Sequence, residues 1–310
     1  MVSFRFHLVS LVAVFMALGL GILAGTTVIN RGIVAQLERT TAGLEQTTKD
    51  LEADVVRLES EVETWDAYGE ATMDFVLGGR LDGRDLVVVT QDGTDDASID
   101  GVLRALRMAI GDEEQGIVGP FSVTTRMALG SEADRTELAA ILGSDPAVDA
   151  ETLQAEAADQ LAQRLALGAE GDDTLEELLA ARFLVDEGPE ISEAALSTVG
   201  GTDQAVVVLA GGPADSSLRP ESFLVPLVAD LAADGSTVVA GEPVNGQEEE
   251  PPFVTALRTD GEVSTRIATQ DNVDQLPGQV GLVLALEDLL RGIPGHYGVK
   301  DGADGPIPEV

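Results

Sequence analysis

Few side chains in this sequence have the chemistry of a catalytic or metal-binding site. The chain contains no cysteine and two histidines, His7 and His296, which lie near opposite ends. Thiolate catalysis, disulfides and Cys-based metal sites are therefore excluded, and no serine stands in a GxSxG motif. His7 and His296 are the candidate metal ligands, although neither has a histidine or acid at a zinc-type spacing. We predict that the protein is not an enzyme and has no resident cofactor.

Acidic residues cluster after the first predicted strand. The cluster comprises Asp92, Asp95, Asp96 and Asp100. These carboxylates could hold a hard cation such as calcium, but the EF-hand positions for glycine and the terminal glutamate are not matched. The same loop and residues 211–215 match neither the GxGxxG fingerprint nor the P-loop, so we expect no nucleotide site. We predict a solvated acidic loop, with Ser98 or Asp96 capping the following helix.

The stretch from Leu8 to Ile29 has the length and composition of a membrane span. It carries no charged residue, and roughly 20 apolar residues rising about 1.5 Å each match a hydrocarbon core of about 30 Å. We predict an uncleaved signal anchor over residues 1–30 in the cell membrane. The N-terminus is then cytoplasmic, and the bulk of the chain lies in the cell envelope. A cleaved signal peptide is the alternative, but the run is long for one and no A-x-A site follows.

Small residues recur at every fourth position of this predicted helix. They are Ala13, Ala17, Gly21 and Gly25. Such a face lets a neighbouring backbone approach closely, so we expect the helix to self-associate. The alternative is that alanine and glycine are simply common in membrane spans.

A heptad pattern follows the membrane segment and predicts a coiled-coil stalk over residues 31–77. Its core leucines are Leu37, Leu44, Leu51 and Leu58, each preceded at three residues by valine or threonine. A parallel homodimer would place Asp54 near Glu59 of the partner, and like charges repel. A homodimer would therefore depend on the small-residue face of the membrane helix and on the leucines. Otherwise the stalk needs a partner whose heptad flanks are basic. A single amphipathic helix lying on the chain's own domain is the alternative.

The region from residue 78 to residue 298 has α/β character. β-Branched runs predict buried strands at 85–90, 116–125, 205–210 and 237–240, arranged as two β-α-β units of an open, mostly parallel sheet. Residues 131–198 predict a helical insertion. We expect further strands at 253–257, 263–268 and 280–286, with a short helix at 287–291. The tail, residues 299–310, is predicted to be disordered because it is rich in Gly, Pro and Asp.

The charge balance limits the class of partner. The formal net charge is -37, and Lys49 and Lys300 are the only lysines. Such a surface repels the phosphates of nucleic acids, so nucleic-acid binding is excluded.

Two terminal motifs carry a resemblance to a known family. They are Ser3-x-Arg5-x-His7-x-Val9-Ser10-Leu11 and Leu284-Ala-Leu-Glu-Asp288-Leu289, which closes in Gly295-His296-Tyr297-Gly298. Together with the order of anchor, stalk and α/β domain, they resemble the actinobacterial copper transporter family typified by the mycobacterial copper transport protein B. The resemblance implies a cell-envelope protein linked to copper efflux and copper resistance, described for the family as a channel or pore-forming component.

The residues themselves specify no copper pathway. Copper(I) favours Cys, Met and His ligands, and this chain has no cysteine, two histidines and five scattered methionines. A single helix cannot enclose water, so a pore requires oligomerisation or a barrel, and no series of alternating lipid-facing strands is present. We interpret the chain as an oligomeric component or accessory of copper efflux, with copper as the transported ion. The alternative is a single-span scaffold that binds another envelope protein.

Overall fold

The computed structural model describes residues 4–111, 116–169, 173–188, 196–212, 216–244 and 253–309; side chains within 26–35 are outside this description. The chain divides into two compact units, Met1–Asp66 and Ala67–Val310. One helix, α1 (Phe4–Leu77), runs without a break across both. It contains no proline, and it ends where the chain reaches Gly78-Gly79, with Gly79 at a φ of 75°. A positive φ at this point suits glycine and stops the helix.

The second unit is an α/β domain. Its strands are β1 (Asp85–Gln91), β2 (Ile117–Val123), β3 (Leu184–Asp186), β4 (Gln204–Leu209), β5 (Thr237–Glu242), β6 (Ala268–Asp271) and β7 (Gly295–Tyr297). Its helices are α2 (Asp96–Ile110), α3 (Glu132–Leu142), α4 (Ala150–Leu167), α5 (Thr174–Ala180), α6 (Pro220–Ala233), α7 (Phe253–Thr259) and α8 (Leu276–Leu290).

The described strands form one seven-stranded sheet in the order β3-β2-β1-β4-β5-β6-β7. All neighbouring pairs are parallel except β2 with β3. The chain leaves β1 through α2 toward β2, and it leaves β4 through α6 toward β5 in the opposite direction. This is a doubly wound sheet whose switch point lies between β1 and β4. It confirms the predicted α/β class and the mostly parallel sheet.

Both faces of the sheet are covered by helices. Val87 and Val89 of β1 point to a core shared with α4, α6 and α7, while Leu86 and Val88 point to a second core shared with α2, α8 and the last turns of α1. All four side chains are at most 1% exposed. Burial on both faces explains why the strands are continuous β-branched runs instead of alternating ones.

The predicted helical insertion contains a strand. Helices α3, α4 and α5 lie where helices are predicted, but Leu184–Asp186 pairs antiparallel with β2 at the sheet edge. Three residues are too few to show a strand period, so the sequence pattern could not reveal this strand.

Three strand predictions in the last third of the chain are wrong. Residues 253–257 belong to helix α7, and residues 280–286 belong to α8, which continues through the predicted short helix and ends at Leu290. Short apolar runs do not distinguish a buried strand from a buried helix, and most of α8 is buried. The strand predicted at 263–268 begins only at Ala268, because β6 reads Ala-Thr-Gln-Asp and its polar side chains mask it.

The tail is predicted to be disordered, whereas in the structure Asp304 and Gly305 bond to residues 296–298 at the end of the sheet. The backbone N–H of Gly298 donates to the Gly305 carbonyl at 2.8 Å, and that of His296 donates to the Asp304 carboxylate at 3.0 Å. Pro308 is buried. Composition alone indicates disorder here because it does not register specific hydrogen-bond partners on β7.

Candidate functional site

The first candidate site is the apolar start of α1. Phe4–Gly25 is long and apolar enough to cross a membrane, and none of its residues is buried within the protein. Phe15 is 66% exposed and Leu23 is 67% exposed. Burying one such side chain stabilises a protein by about 1.5–3 kcal/mol. The exposed apolar side chains of Phe4–Gly25 therefore require a non-aqueous environment or a protein partner. The helix fits single-pass anchoring.

The small residues of this segment lie on one continuous helix, as predicted. Ala13, Ala17, Gly21 and Gly25 are spaced four apart within α1. A Cβ atom added at Gly21 or Gly25 would meet no atom of the chain within 4 Å. The space beside these glycines is therefore open to a neighbouring helix, and self-association through this face stays a prediction.

The heptad leucines lie further along the same helix. Leu37, Leu44, Leu51 and Leu58 are 66%, 63%, 60% and 51% exposed. The structure confirms that they belong to a helix and shows an uncovered apolar row. A coiled coil needs a second strand, so the predicted coiled-coil stalk stays a prediction.

The two histidines belong to different units and different environments. His7 is an exposed residue of α1, whereas His296 lies on β7, where its Nδ1 is 3.0 Å from the Thr269 hydroxyl. Burial lowers the pKa of His296, and the nearby Arg258 guanidinium lowers it further. A metal ion bound at Nδ1 of His296 would have to displace the Thr269 contact.

The described residues contain no group of three or more His, Cys, Asp or Glu side chains that could hold a metal ion. Asp95, and not the predicted Ser98 or Asp96, caps α2: its carboxylate accepts the Ser98 backbone N–H and hydroxyl, both at 2.9 Å. Asp96 and Asp100 line an open groove of about 480 Å³. Burial raises the pKa of Glu187, on the same groove, and the negative charges of Asp92 and Asp96 raise it further.

The switch point of the sheet is filled by one side chain. The Gln91 amide nitrogen donates to the Leu218 carbonyl at 2.8 Å, and its amide oxygen accepts the N–H groups of Gly211 and Gly212 at 3.3 and 3.2 Å. In doubly wound folds a ligand phosphate commonly binds in this crevice. Here Gln91 already uses these two backbone donors.

A buried charged cluster at the carboxyl ends of β5 and β6 was missed by the sequence analysis. Asp271 and Arg258 have side chains that are 0% and 2% exposed and form an ion pair at 3.0 Å. Arg258 also donates to the Thr269 hydroxyl at 2.9 Å and to the Tyr297 carbonyl at 2.6 Å. The remaining carboxylate oxygen of Asp271 accepts the Val299 N–H at 2.6 Å. This cluster ties β6, β7 and α7 together.

A second pair extends the cluster to β5. The Lys300 ammonium lies 3.2 Å from the Glu242 carboxylate, whose other oxygen accepts the Val254 N–H at 3.0 Å. Burial raises the pKa of Glu242, and the charge of Lys300 partly opposes that rise. The only sequence signal was position, since both Glu242 and Asp271 directly follow buried strand residues. With partners already in place, the cluster is a means of holding the C-terminal segment on the sheet.

Comparisons with known proteins identify the family. The family described as "Copper transport outer membrane protein, MctB" matches residues 1–308. This chain belongs to the MctB family. Proteins named "Copper transporter MctB" from Mycobacterium tuberculosis and Mycobacterium leprae are 26% and 29% identical to it, over 98% of this chain and 98% of each relative. The resemblance stated from the terminal motifs is thereby confirmed.

The MctB family assignment covers both units of the chain. The catalytic subunit of M. jannaschii aspartate transcarbamoylase is 11% identical, covers 74% of this chain and 92% of its own, and gives a TM-score of 0.15, which supports no argument about the fold. The family description names an outer membrane, and the Phe4–Gly25 helix fits anchoring in a membrane.

Proposed function

We propose that this chain is a membrane-anchored cell-envelope component of copper efflux, acting as an oligomeric component or as an accessory of the exporter. The observation that carries the proposal is the MctB family match over residues 1–308, which includes the apolar helix Phe4–Gly25. The N-terminus lies in the cytoplasm and the α/β domain outside. In this proposal the domain performs no catalysis and holds no resident cofactor, and the family match supports copper as the transported ion.

Transport through the chain itself depends on assembly. One helix cannot enclose a water-filled path because its backbone groups bond internally and its side chains face lipid. Several copies are therefore required, and Gly21 and Gly25 offer the surface on which helices can approach closely. The exposed heptad row of α1 is a separate surface, available to a helical partner.

A non-transporting scaffold is the second candidate. It is favoured by the lack of a metal-binding group of three or more side chains among the described residues. Copper(I) prefers thiolate, thioether and imidazole ligands, and this chain has no cysteine and two histidines, which belong to different units. A scaffold would act by holding another envelope protein.

Copper flux into liposomes containing the purified full-length protein tests the two candidates. The test variant is Gly21→Leu/Gly25→Leu, and the matched control is Gly19→Leu, which lies on the opposite side of the helix at 100° per residue. None of the three added Cβ atoms meets the chain itself within 4 Å. Changes in flux therefore report contacts between copies.

Transport predicts flux with the wild type and with Gly19→Leu, and a loss of at least about tenfold in the double variant. Absence of flux from well-inserted wild-type protein would refute direct transport and favour the scaffold.

The cysteine-free sequence also permits a test of orientation. In intact cells that express Ser60→Cys, a membrane-impermeant maleimide added to the medium should label the stalk. Labelling only after lysis would show that the topology is the reverse of the one proposed.

A further inference from the structure

The stalk between Leu37 and Asp66 has two chemically different sides, which we name by their heptad positions. The seam consists of the a and d residues Leu37, Thr41, Leu44, Thr48, Leu51, Val55, Leu58, Val62 and Trp65. The acidic flank consists of the e residues Glu38, Glu45, Glu52, Glu59 and Asp66. All these residues lie on the helix α1 and are exposed.

The composition of the seam specifies how many strands it accepts. Its a positions are β-branched, two threonines and two valines, and its first four d positions are leucine. β-Branched residues at a with leucine at d favour two parallel strands. The seam is uncovered, with Val55 52% and Val62 57% exposed. One additional helix would therefore complete it.

The acidic flank specifies the charge of that helix. In the described structure none of Glu38, Glu45, Glu52 and Glu59 forms an ion pair. Lys49 stands four residues after Glu45 and three before Glu52, yet it pairs with neither. The flank therefore presents uncompensated carboxylates along its length.

The negative charge of the opposite flank is partly compensated within the chain. Asp54 and Glu61, both at g positions, share Arg57, whose guanidinium lies 3.3 Å and 2.8 Å from their carboxylates. The two edges of the seam therefore differ, and the negative charge that a partner would meet is concentrated at the e positions.

A second copy of this chain would not satisfy that charge. In a parallel, in-register pair, Glu45 and Glu52 would face Thr40 and Thr47 of the other copy, and Glu59 would face Asp54. No facing pair would be attractive, and like charges at e and g positions select against self-pairing. Charge complementarity instead requires a strand with lysine or arginine beside its apolar seam.

We propose that the stalk is one strand of a two-stranded coiled coil whose other strand is a helix of a different protein, with lysine or arginine flanking its apolar seam. This inference rests on the proposed function, since it names the chemistry of the partner through which an envelope component would be recruited. The membrane helix remains available for contacts between copies.

The test uses full-length protein in nanodiscs and two synthetic 35-residue helical peptides. Both peptides have valine at a and leucine at d, and they carry either lysine or glutamate at e and g. We expect the lysine peptide to bind at least tenfold more tightly than the glutamate peptide. Its affinity should fall as salt rises. A scrambled peptide of the lysine composition controls for general attraction to an acidic protein and should bind at least tenfold more weakly.

Matched variants locate the binding surface. Glu45→Gln/Glu52→Gln removes two flank charges, and Asp50→Asn/Glu63→Gln removes two charges away from the flank. Two exposed pairs worth about 0.3–0.5 kcal/mol each predict a threefold to fivefold loss for the first variant only. Equal losses in both variants, or equal binding of the two peptides, would overturn the proposal.

Crosslinking tests the competing occupant. In the cysteine-free chain, Leu51→Cys places one thiol in the seam and Ala53→Cys places one outside it. High-yield disulfide crosslinking of Leu51→Cys alone would show that a second copy covers the seam and would overturn the proposal. Peptide binding and crosslinking need no copper, so their failure is distinguishable from a failure of copper flux.

Discussion

The two units of this protein differ in whether they bury their apolar side chains. In the first unit, Leu44 and Leu51 are 63% and 60% exposed, whereas Leu86 and Leu106 of the second unit are completely buried. The α/β domain carries its own two cores. The part of α1 in the first unit leaves its apolar rows exposed, and these rows fit contact with lipid or with another helix. The domain is thus stabilised from within, and the first unit requires surroundings that the chain itself does not supply.

The largest effect should come from breaking the buried ion pair of the domain. Arg258→Ala leaves Asp271 buried without its cation, and we expect a loss of about 3–5 kcal/mol in the free energy of unfolding. This loss is measured by urea denaturation of the full-length protein in detergent, with hydrogen exchange of the β4 amides as the probe of unfolding. The control is Arg291→Ala, whose side chain is 58% exposed. A loss below about 1 kcal/mol for Arg258→Ala would contradict the view that the cluster holds the C-terminal segment.

A core substitution tests the contrast directly. Leu106→Ala should cost the domain about 2–5 kcal/mol because it leaves a cavity between α2 and the sheet. Leu44→Ala should leave the free energy of unfolding of the domain unchanged, because the Leu44 side chain lies outside both cores. The same denaturation experiment compares the two. Destabilisation of the domain by Leu44→Ala would disprove the view that the domain is stable independently of the first unit.

A helix cap gives a smaller effect within the domain. Asp95→Ala removes the acceptor for the first turn of α2 and should cost about 1 kcal/mol. Faster hydrogen exchange in residues 97–99 would report it. Ser98→Ala keeps the capping carboxylate and removes only the hydroxyl contact, so it should cost less. If Ser98→Ala costs more, the cap has been assigned to the wrong residue.

The finest test is a change in the slope of stability with pH. Burial raises the pKa of Glu242 above its ordinary 4.5, so the folded domain binds this proton more tightly than the unfolded chain does. The carboxyl therefore costs stability at pH 7, and the cost disappears as pH falls through the raised pKa. Relative to Glu242→Gln, the wild type should gain stability between pH 7 and the region just above 4.5.

His296 provides the control of opposite sign. Its pKa is lowered from 6.5, so the wild type should lose stability relative to His296→Gln as pH falls below 6.5. Measuring the free energy of unfolding against pH in the two variants would separate the two contributions. Parallel curves for the wild type and Glu242→Gln would show that the pKa of the Glu242 carboxyl does not change on folding.

Sequence reasoning succeeded where a pattern is local and repeated. Val87 to Val89 and Val206 to Val208 are β-branched runs, and the structure has strands at both. Reasoning failed at α8, because a helix buried on most of its sides lacks the polar face that gives a helical period. It also missed the cluster around Arg258, since Asp271 and Lys300 meet only after β6 and the tail are folded together.

The linear sequence by itself determined the apolar helix, the heptad spacing, the mostly parallel α/β class and the family. These properties depend on composition and on periods of 2, 3.5 or 3.6 residues, which are read along the chain. Only the tertiary structure decided the order of the strands, the filling of the switch point by Gln91, and the partners of Asp271 and Glu242. Those features depend on contacts between residues far apart in the chain, and such contacts arise only when the sheet and its two helical layers are assembled.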